Sequence, residues 1–265
     1  MIIDKKRIRK RPSINPYIEA ANMIYERLKW DLKLEAWKSR RRLKKIKDRY
    51  SGKKAVILCN GPSLLKSDLS LLKNTFTFGL NKINLLFDKS DFRPSCIVSV
   101  NKYAIEQNAS FFNKTDIPLF LNDKCHTHIF MRKNIIFLHN SHRTADFARD
   151  CSMTIYQGST VTYVAMQLAF HMGFKEVALI GCDHNFNSQG TPHEVVVSGQ
   201  IDTDHFDPKY FSDGEVWQLP DLAGSEFFYS IAYDVFKFYD RRIFNATVGG
   251  KLELFPRVSL KQFLR

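Results

Sequence analysis

The sequence predicts an α/β protein: a single Rossmann-like, doubly wound, mostly parallel sheet preceded by a basic amphipathic helix. Three observations carry this expectation. From Ala55 onward, short apolar runs alternate with helical segments, the order that folds as parallel strands joined by crossover helices. The first run, Lys54 to Leu58, breaks after Cys59 into Asn60-Gly61-Pro62-Ser63 where a crossover should begin. The charge is segregated, because residues 1–54 hold 19 of the 40 Lys and Arg but 6 of the 27 Asp and Glu. That segment therefore carries the whole net charge of +13, and the rest of the chain is neutral.

A chain of 265 residues with 44% hydrophobic content is long enough for one large domain and an appendage. The expected division is a helical arm over 1–50 and a nucleotide-binding domain over 51–265, with Ser51-Gly52-Lys53-Lys54 at the junction. The arm begins with a basic tip, Lys5 to Arg11. A helix is expected from Asn15 or Pro16 to Tyr50, since Tyr17, Ala20, Ala21, Ile24, Leu28, Leu32 and Ala36 recur at helical spacing. Trp30, Leu34 and Trp37 lie alongside them. Such a helix suits an anionic bilayer surface, and it equally suits packing on its own domain or on a second subunit. Nucleic acid is not an expected partner, because the remainder offers neither a basic face nor a recognisable binding module. No apolar run approaches the ~20 residues of a membrane span, and Met1 to Lys6 lack a signal-peptide core. The expected location is cytoplasmic, peripherally associated with the inner face of the membrane.

Strands are expected at 55–59, 75–80, 96–100, 118–121, 135–138, 177–180 and 242–245, and helices at 64–73, 82–88, 103–112, 142–150, 159–172 and 223–240. In such a sheet, ligands bind at the carboxyl ends of the strands. Asn60, Asn81, Asn101 and Asp183 all fall there, offering amide and carboxylate groups for a base, ribose or phosphate. Gly61 permits close backbone approach, Pro62 pre-sets a first-turn φ, and Ser63 adds a hydroxyl. The turn is neither a G-x-G-x-x-G fingerprint nor a P-loop. Gly158-Ser159-Thr160 opens a further helix and forms a second anion-friendly end, unless its hydroxyls serve only as N-caps.

Five cysteines, at 59, 96, 125, 151 and 182, include no C-x-x-C pair and read as reduced and buried. Cys125-His126-Thr127-His128 lacks a second cysteine pair, so no metal site is expected there. Asp202-Thr203-Asp204 has the form of a cation-binding carboxylate pair but follows no clear strand, and a solvated loop is the expectation.

Together, the Asn60 to Ser63 turn, Asn81, Asn101, the Gly158 to Thr160 helix start and Met172 to Asp183 resemble the bacterial sialyltransferases that use CMP-N-acetylneuraminate. They also resemble a related domain of flagellin-modifying motility accessory factors and archaeal 6-hydroxymethylpterin diphosphokinase. The similarity to the motility-factor-like domain is the closer, through Gly181 to Phe186, Asp204-His205-Phe206 and the stretch from Ile243 to Leu252. It spans roughly 54–185 by motif order and leaves the basic arm outside.

The resemblance implies a glycosyltransferase with a CMP-activated acidic sugar as co-substrate and no further cofactor or metal. Its acceptor would be a surface glycan or lipid-linked glycan, as in lipopolysaccharide or capsule biosynthesis. Asn60, Gly61, Pro62 and Ser63 would hold the phosphate and ribose region, Asn81 and Asn101 the nucleotide and sugar, Gly158, Ser159 and Thr160 the opposite side, and Asp183 the floor. Chemistry would be a single inverting displacement with a histidine base: His205 first, then His184 and His193. The family's tyrosines after Gly-x-Asp are replaced here by His184, Asn185 and Phe186. The alternatives are ATP-dependent pyrophosphoryl transfer to a pterin, which Asp202, Asp204 and Asp207 would serve with magnesium, and a non-catalytic nucleotide-binding module.

Overall fold

The computed structural model describes residues 15–265 except 126, 142–144, 189 and 212. The basic tip from Lys5 to Arg11 lies outside the described residues. The strands are β1 (Lys54–Leu58), β2 (Phe76–Leu80), β3 (Cys96–Ser99), β4 (Leu119–Asn122), β5 (Ile135–Leu138), β6 (Asn140–Ser141), β7 (Ile155–Tyr156), β8 (Glu176–Ile180), β9 (Val195–Val197), β10 (Val216–Gln218) and β11 (Arg242–Asn245). The α-helices are α1 (Pro16–Asp31), α2 (Leu34–Ile46), α3 (Lys102–Gln107), α4 (Ala109–Phe112), α5 (Val161–His171), α6 (Leu222–Phe238) and α7 (Leu260–Leu264).

All seven strands expected from the sequence enter one seven-stranded sheet in the order β11-β8-β1-β2-β3-β4-β5. Every pairing within it is parallel. The chain runs outward from β1 to β5, then returns to lay β8 on the other side of β1. The carboxyl ends of β1 and β8 thus form the switch point where doubly wound sheets bind ligands. Alternate residues feed two cores. Ala55, Ile57, Val177 and Leu179 pack under α5 and α6, while Val56, Leu58, Ala178 and Ile180 face Leu64, Leu72, Ile105 and Phe263.

Four expected helices after the arm differ, and the one at 103–112 is two, α3 and α4, parted at Asn108. The segments at 64–73 and 82–88 are short 3-10 turns, Pro62–Lys66, Leu69–Leu72 and Ile83–Leu86. No helix forms over the described part of 142–150, where side chains take the backbone amides. Ala148 N donates to the buried Gln167 Oε1 at 3.1 Å, and Phe147 N to Asp146 Oδ1 at 2.7 Å.

The single helix expected over the arm is two. It breaks after Leu32, where Lys33 turns extended (φ −86°, ψ 142°) and Asp31 receives both Arg27 and Arg40. Beyond the break, α2 packs along β5 and sends Leu43 into the core. Ser39 Oγ accepts from Phe137 N at 3.0 Å, and Arg42 donates to the carbonyls of Ile135 and Arg132. These side chains satisfy backbone groups that an edge strand leaves open.

α2 is also tied to α5 by the fully buried His171, whose Nδ1 accepts from Cys151 N at 3.2 Å and whose Nε2 donates to Leu43 O at 3.0 Å. Burial holds this imidazole below its usual 6.5, although the Leu43 carbonyl and Asp150 pull the other way. The unfolded chain takes up a proton near 6.5 that the folded chain refuses, so the stability is fully present above that pH and declines as pH falls below it. Urea denaturation between about pH 7 and pH 5 should show this slope, and His171→Gln should flatten it.

Candidate functional site

At the switch point the Asn60-Gly61 turn is stitched to the end of β8. Cys59 N donates to Ile180 O and Gly61 N to Gly181 O, each at 2.9 Å. A Cβ on Gly61 would stand 2.0 Å from Asp183 Oδ2 and 2.7 Å from Gly181 O. Gly61 is therefore required by the neighbouring strand end. Asp183 Oδ2 in turn accepts from Ser63 N at 3.0 Å and Ser63 Oγ at 2.9 Å.

A cavity of about 570 Å³ opens beside this junction, within the usual size of small-ligand sites. Of the residues expected from the sequence, it is lined by Asn60, Gly61, Asn81, Asn101, Gly158, Ser159, Thr160, Asp183, His184, His193 and His205. Pro62 and Ser63 do not line it. Ser63 is buried with its hydroxyl and amide spent on Asp183, so the expected phosphate contact through that pair is replaced by a structural one.

Several lining residues have their polar groups fixed. Asn60, 9% exposed, donates from Nδ2 to Leu80 O at 3.1 Å and Tyr210 Oη at 2.9 Å, while its Oδ1 has no partner among the described residues. Asn81 Oδ1 accepts from Ser99 Oγ at 3.0 Å. Asn101 caps α3 by accepting from Ala104 N at 3.2 Å. Thr160 caps α5, and Ser159 Oγ lies 3.5 Å from Asp221 Oδ2, the cap of α6. The buried Asn60 carbonyl is thus the acceptor in this wall left without a partner among the described residues.

The backbone around the cavity is strained. Among the described residues, seven besides glycine have positive φ, and four of them line this cavity: Asn81 (46°), Ser159 (55°), His184 (51°) and His193 (64°). Such conformations cost about 1–3 kcal/mol each and concentrate at functional sites.

The far wall comes from the segment between β8 and α6, whose strands β9 and β10 pair as an antiparallel ribbon. Phe206 N donates to Asn60 O at 2.8 Å, fixing this segment over the β1 end. His205 beside it stacks on Tyr210 with ring centroids 4.0 Å apart and planes 2° from parallel. His205 Nδ1 lies 2.8 Å from Asp202 Oδ2. Burial raises the Asp202 carboxyl, but bonding to His205 and to the Asp204 and His205 amides outweighs it and leaves the group below its usual range. With Nδ1–H held by a carboxylate, the lone pair lies on Nε2. Buried Lys82 anchors the same segment, donating to Tyr210 O and to Glu215 Oε2, both at 2.7 Å. His184 Nε2 sits 3.0 Å from Glu226 Oε1.

The Asp202-Thr203-Asp204 pair is neither solvated nor arranged for a cation. Asp202 accepts from three backbone amides besides holding His205, and Asp204 accepts from Asn187 N, Ser188 N and Ser188 Oγ. Asp207 is engaged by Lys89 at 2.6 Å and Lys209 N at 2.8 Å. All five cysteines are buried and unpaired, and burial pushes the Cys125 thiol up to about 11. Its expected neighbour His126 lies outside the described residues.

The sequence profile of the 6-hydroxymethylpterin diphosphokinase MptE-like family matches residues 32–189, more than half of the chain. The chain belongs to the MptE-like family. The match starts at α2 and so takes in part of the arm, which motif order alone had left outside.

Among solved structures, this MptE-like chain is similar to the MAf glycosyltransferase from Magnetospirillum magneticum AMB-1, with 14% identity and a TM-score of 0.49. That similarity covers 86% of this chain and 39% of the other, so this chain spans well under half of that protein's length. No curated protein matches the sequence.

Beyond the expected residues, the MptE-like cavity is lined by Tyr156, Tyr210, Trp217, Gln218, Phe228 and Tyr229. Three tyrosines thus reach the cavity from segments other than the one after Gly181-Cys182-Asp183. Val195-Val196-Val197 and Val216-Trp217 carried the signal for the ribbon, being β-branched and aromatic runs of strand type. The α6 contribution carried none, since Leu222, Ser225, Phe228 and Tyr229 reach the cavity only through folding.

Proposed function

We propose that this MptE-like protein is a glycosyltransferase that moves an acidic sugar from a CMP-activated donor to a glycan or lipid-linked acceptor, without a metal ion. The observation that carries this reading is His205 in the cavity wall beside the turn at the switch point, with Asp202 behind it on Nδ1. The start of α5 also faces the cavity through Gly158 to Thr162, and a helix N-terminus favours a phosphate.

In this reading His205 Nε2 removes the acceptor hydroxyl proton as the oxygen attacks the anomeric carbon. The bond from that carbon to the phosphate oxygen breaks, CMP leaves with the electron pair, and the proton stays on an imidazolium beside the Asp202 carboxylate. Such a base contributes about 10²–10⁴-fold in rate. The remaining task is alignment, which a rigid cavity supplies.

A second cavity of about 980 Å³ adjoins the first and shares Ser141 and Tyr156 with it. It runs under α1 past Trp30, Lys124 and His139, and the Trp30 and His139 rings stack at 6.1 Å. Two joined cavities suit two substrates, the acceptor entering through the second.

The family's name favours a second reading, pyrophosphoryl transfer from ATP to a pterin. The engagement of Asp202, Asp204 and Asp207 leaves that reading without a carboxylate pair for Mg·ATP. Calorimetry decides between the two. CMP and CMP-N-acetylneuraminate are expected to bind equally with and without EDTA. Binding of Mg·ATP with no response to CMP would overturn the proposal.

A further inference from the structure

We propose that α1 docks the protein on an anionic lipid surface, a property separate from the transfer reaction. Tyr17, Ile24, Leu28 and Leu32 fall on one arc of the helix at i, i+4 and i+7 spacing, widened by Ile18 and Tyr25. All are exposed, Tyr17 by 84% and Leu32 by 85%. Trp30, on the opposite arc, is 6% exposed and faces the second cavity. The helix therefore turns its apolar side outward and its Trp30, Glu26 and Arg27 side inward, the reverse of a helix serving its own core.

The charge around this face selects the occupant. Lys29 on α1 and Arg41, Lys44 and Lys45 on α2 are exposed, and residues 1–54, the arm with the junction after it, hold the protein's entire net charge of +13. A second copy seated here would bring two such arms together against mutual repulsion. An anionic bilayer instead accepts the apolar arc at its headgroup boundary and gains from each nearby cation. Exposed Trp37, with the Arg41 guanidinium 5.6 Å from its ring centre, adds an aromatic anchor of interfacial type. Among the described residues, no helix is long and apolar enough to cross a membrane.

The test is co-sedimentation of the full chain with phosphatidylcholine vesicles, alone and mixed with phosphatidylglycerol. Binding is expected to the mixed vesicles and to weaken as salt is raised. The double variant Ile24→Glu/Leu28→Glu should partition more than about tenfold more weakly, with its thermal midpoint and far-UV spectrum unchanged because both side chains are exposed. The proposal is overturned if the wild type ignores anionic vesicles, or if the variant binds as the wild type does. It is equally overturned if the wild type is a dimer in solution that the variant splits. Each readout is independent of catalysis, so failure here leaves the proposed function standing, and the reverse.

Discussion

Replacing His205 by alanine is expected to lower CMP release from CMP-N-acetylneuraminate by about 10²–10⁴-fold while CMP itself still binds. The imidazole is the group in the cavity wall whose proton-accepting nitrogen is set by a buried partner, with Asp202 Oδ2 2.8 Å from Nδ1. Because His205 also stacks on Tyr210, a packing defect has to be separated from loss of a base. Asp202→Asn does this, since it keeps the shape but lets Nδ1 become the acceptor and puts the proton on Nε2. It should depress kcat more than it changes KM. Near-normal turnover in both variants would move the base elsewhere, with His184, held by Glu226, as the next candidate.

The Gly61→Ala substitution should cost about 3 kcal/mol or more and abolish nucleotide binding. An added methyl would collide with the Asp183 carboxylate and the Gly181 carbonyl, and the backbone has no slack because Gly61 N is bonded to that same carbonyl. Asp183→Ala alone leaves Ser63 N and Oγ buried without their acceptor, at a cost of about 1–3 kcal/mol. The two changes should couple, because deleting the carboxylate removes the closest obstacle to the methyl. Urea denaturation of the two single variants and the double variant measures this. Strictly additive costs would mean that Asp183 is not what confines Gly61.

The parallel sheet was legible because buried parallel strands are continuous apolar runs, as in Ala55 to Leu58 and Val177 to Ile180, each closed by a turn residue. The strand-end asparagines and Asp183 were legible for the same reason, since a strand's end dictates which edge its next residue reaches. Ser63 misled because a hydroxyl after Gly-Pro reads identically whether it meets a phosphate or a carboxylate from a strand 120 residues away. The 142–150 segment misled because its apolar spacing reflects burial of Phe147 and Ala148 against α5, while Gln167 takes its backbone bonds. The roof that seats His205 and Tyr210 was invisible, being held by single long-range bonds such as Phe206 N to Asn60 O, which leave no periodic trace.

The arrangement of α2 along β5 bears on how the molecule avoids joining copies of itself. A bare terminal strand is a template that any passing extended chain can copy. Here Ser39 and Arg42 occupy the backbone positions such a chain would use. At the opposite margin the segment from Pro256 to Val258 brackets Asn245 in the same way. The arm is thus two devices in series: an outer helix ending near Lys33 and held to the domain by Trp30, and an inner helix that acts as the sheet's selvedge. Cutting at residue 50 would unravel that border and offer β5 for strand-to-strand polymerisation, whereas cutting at the hinge would bare the second cavity and leave β5 covered.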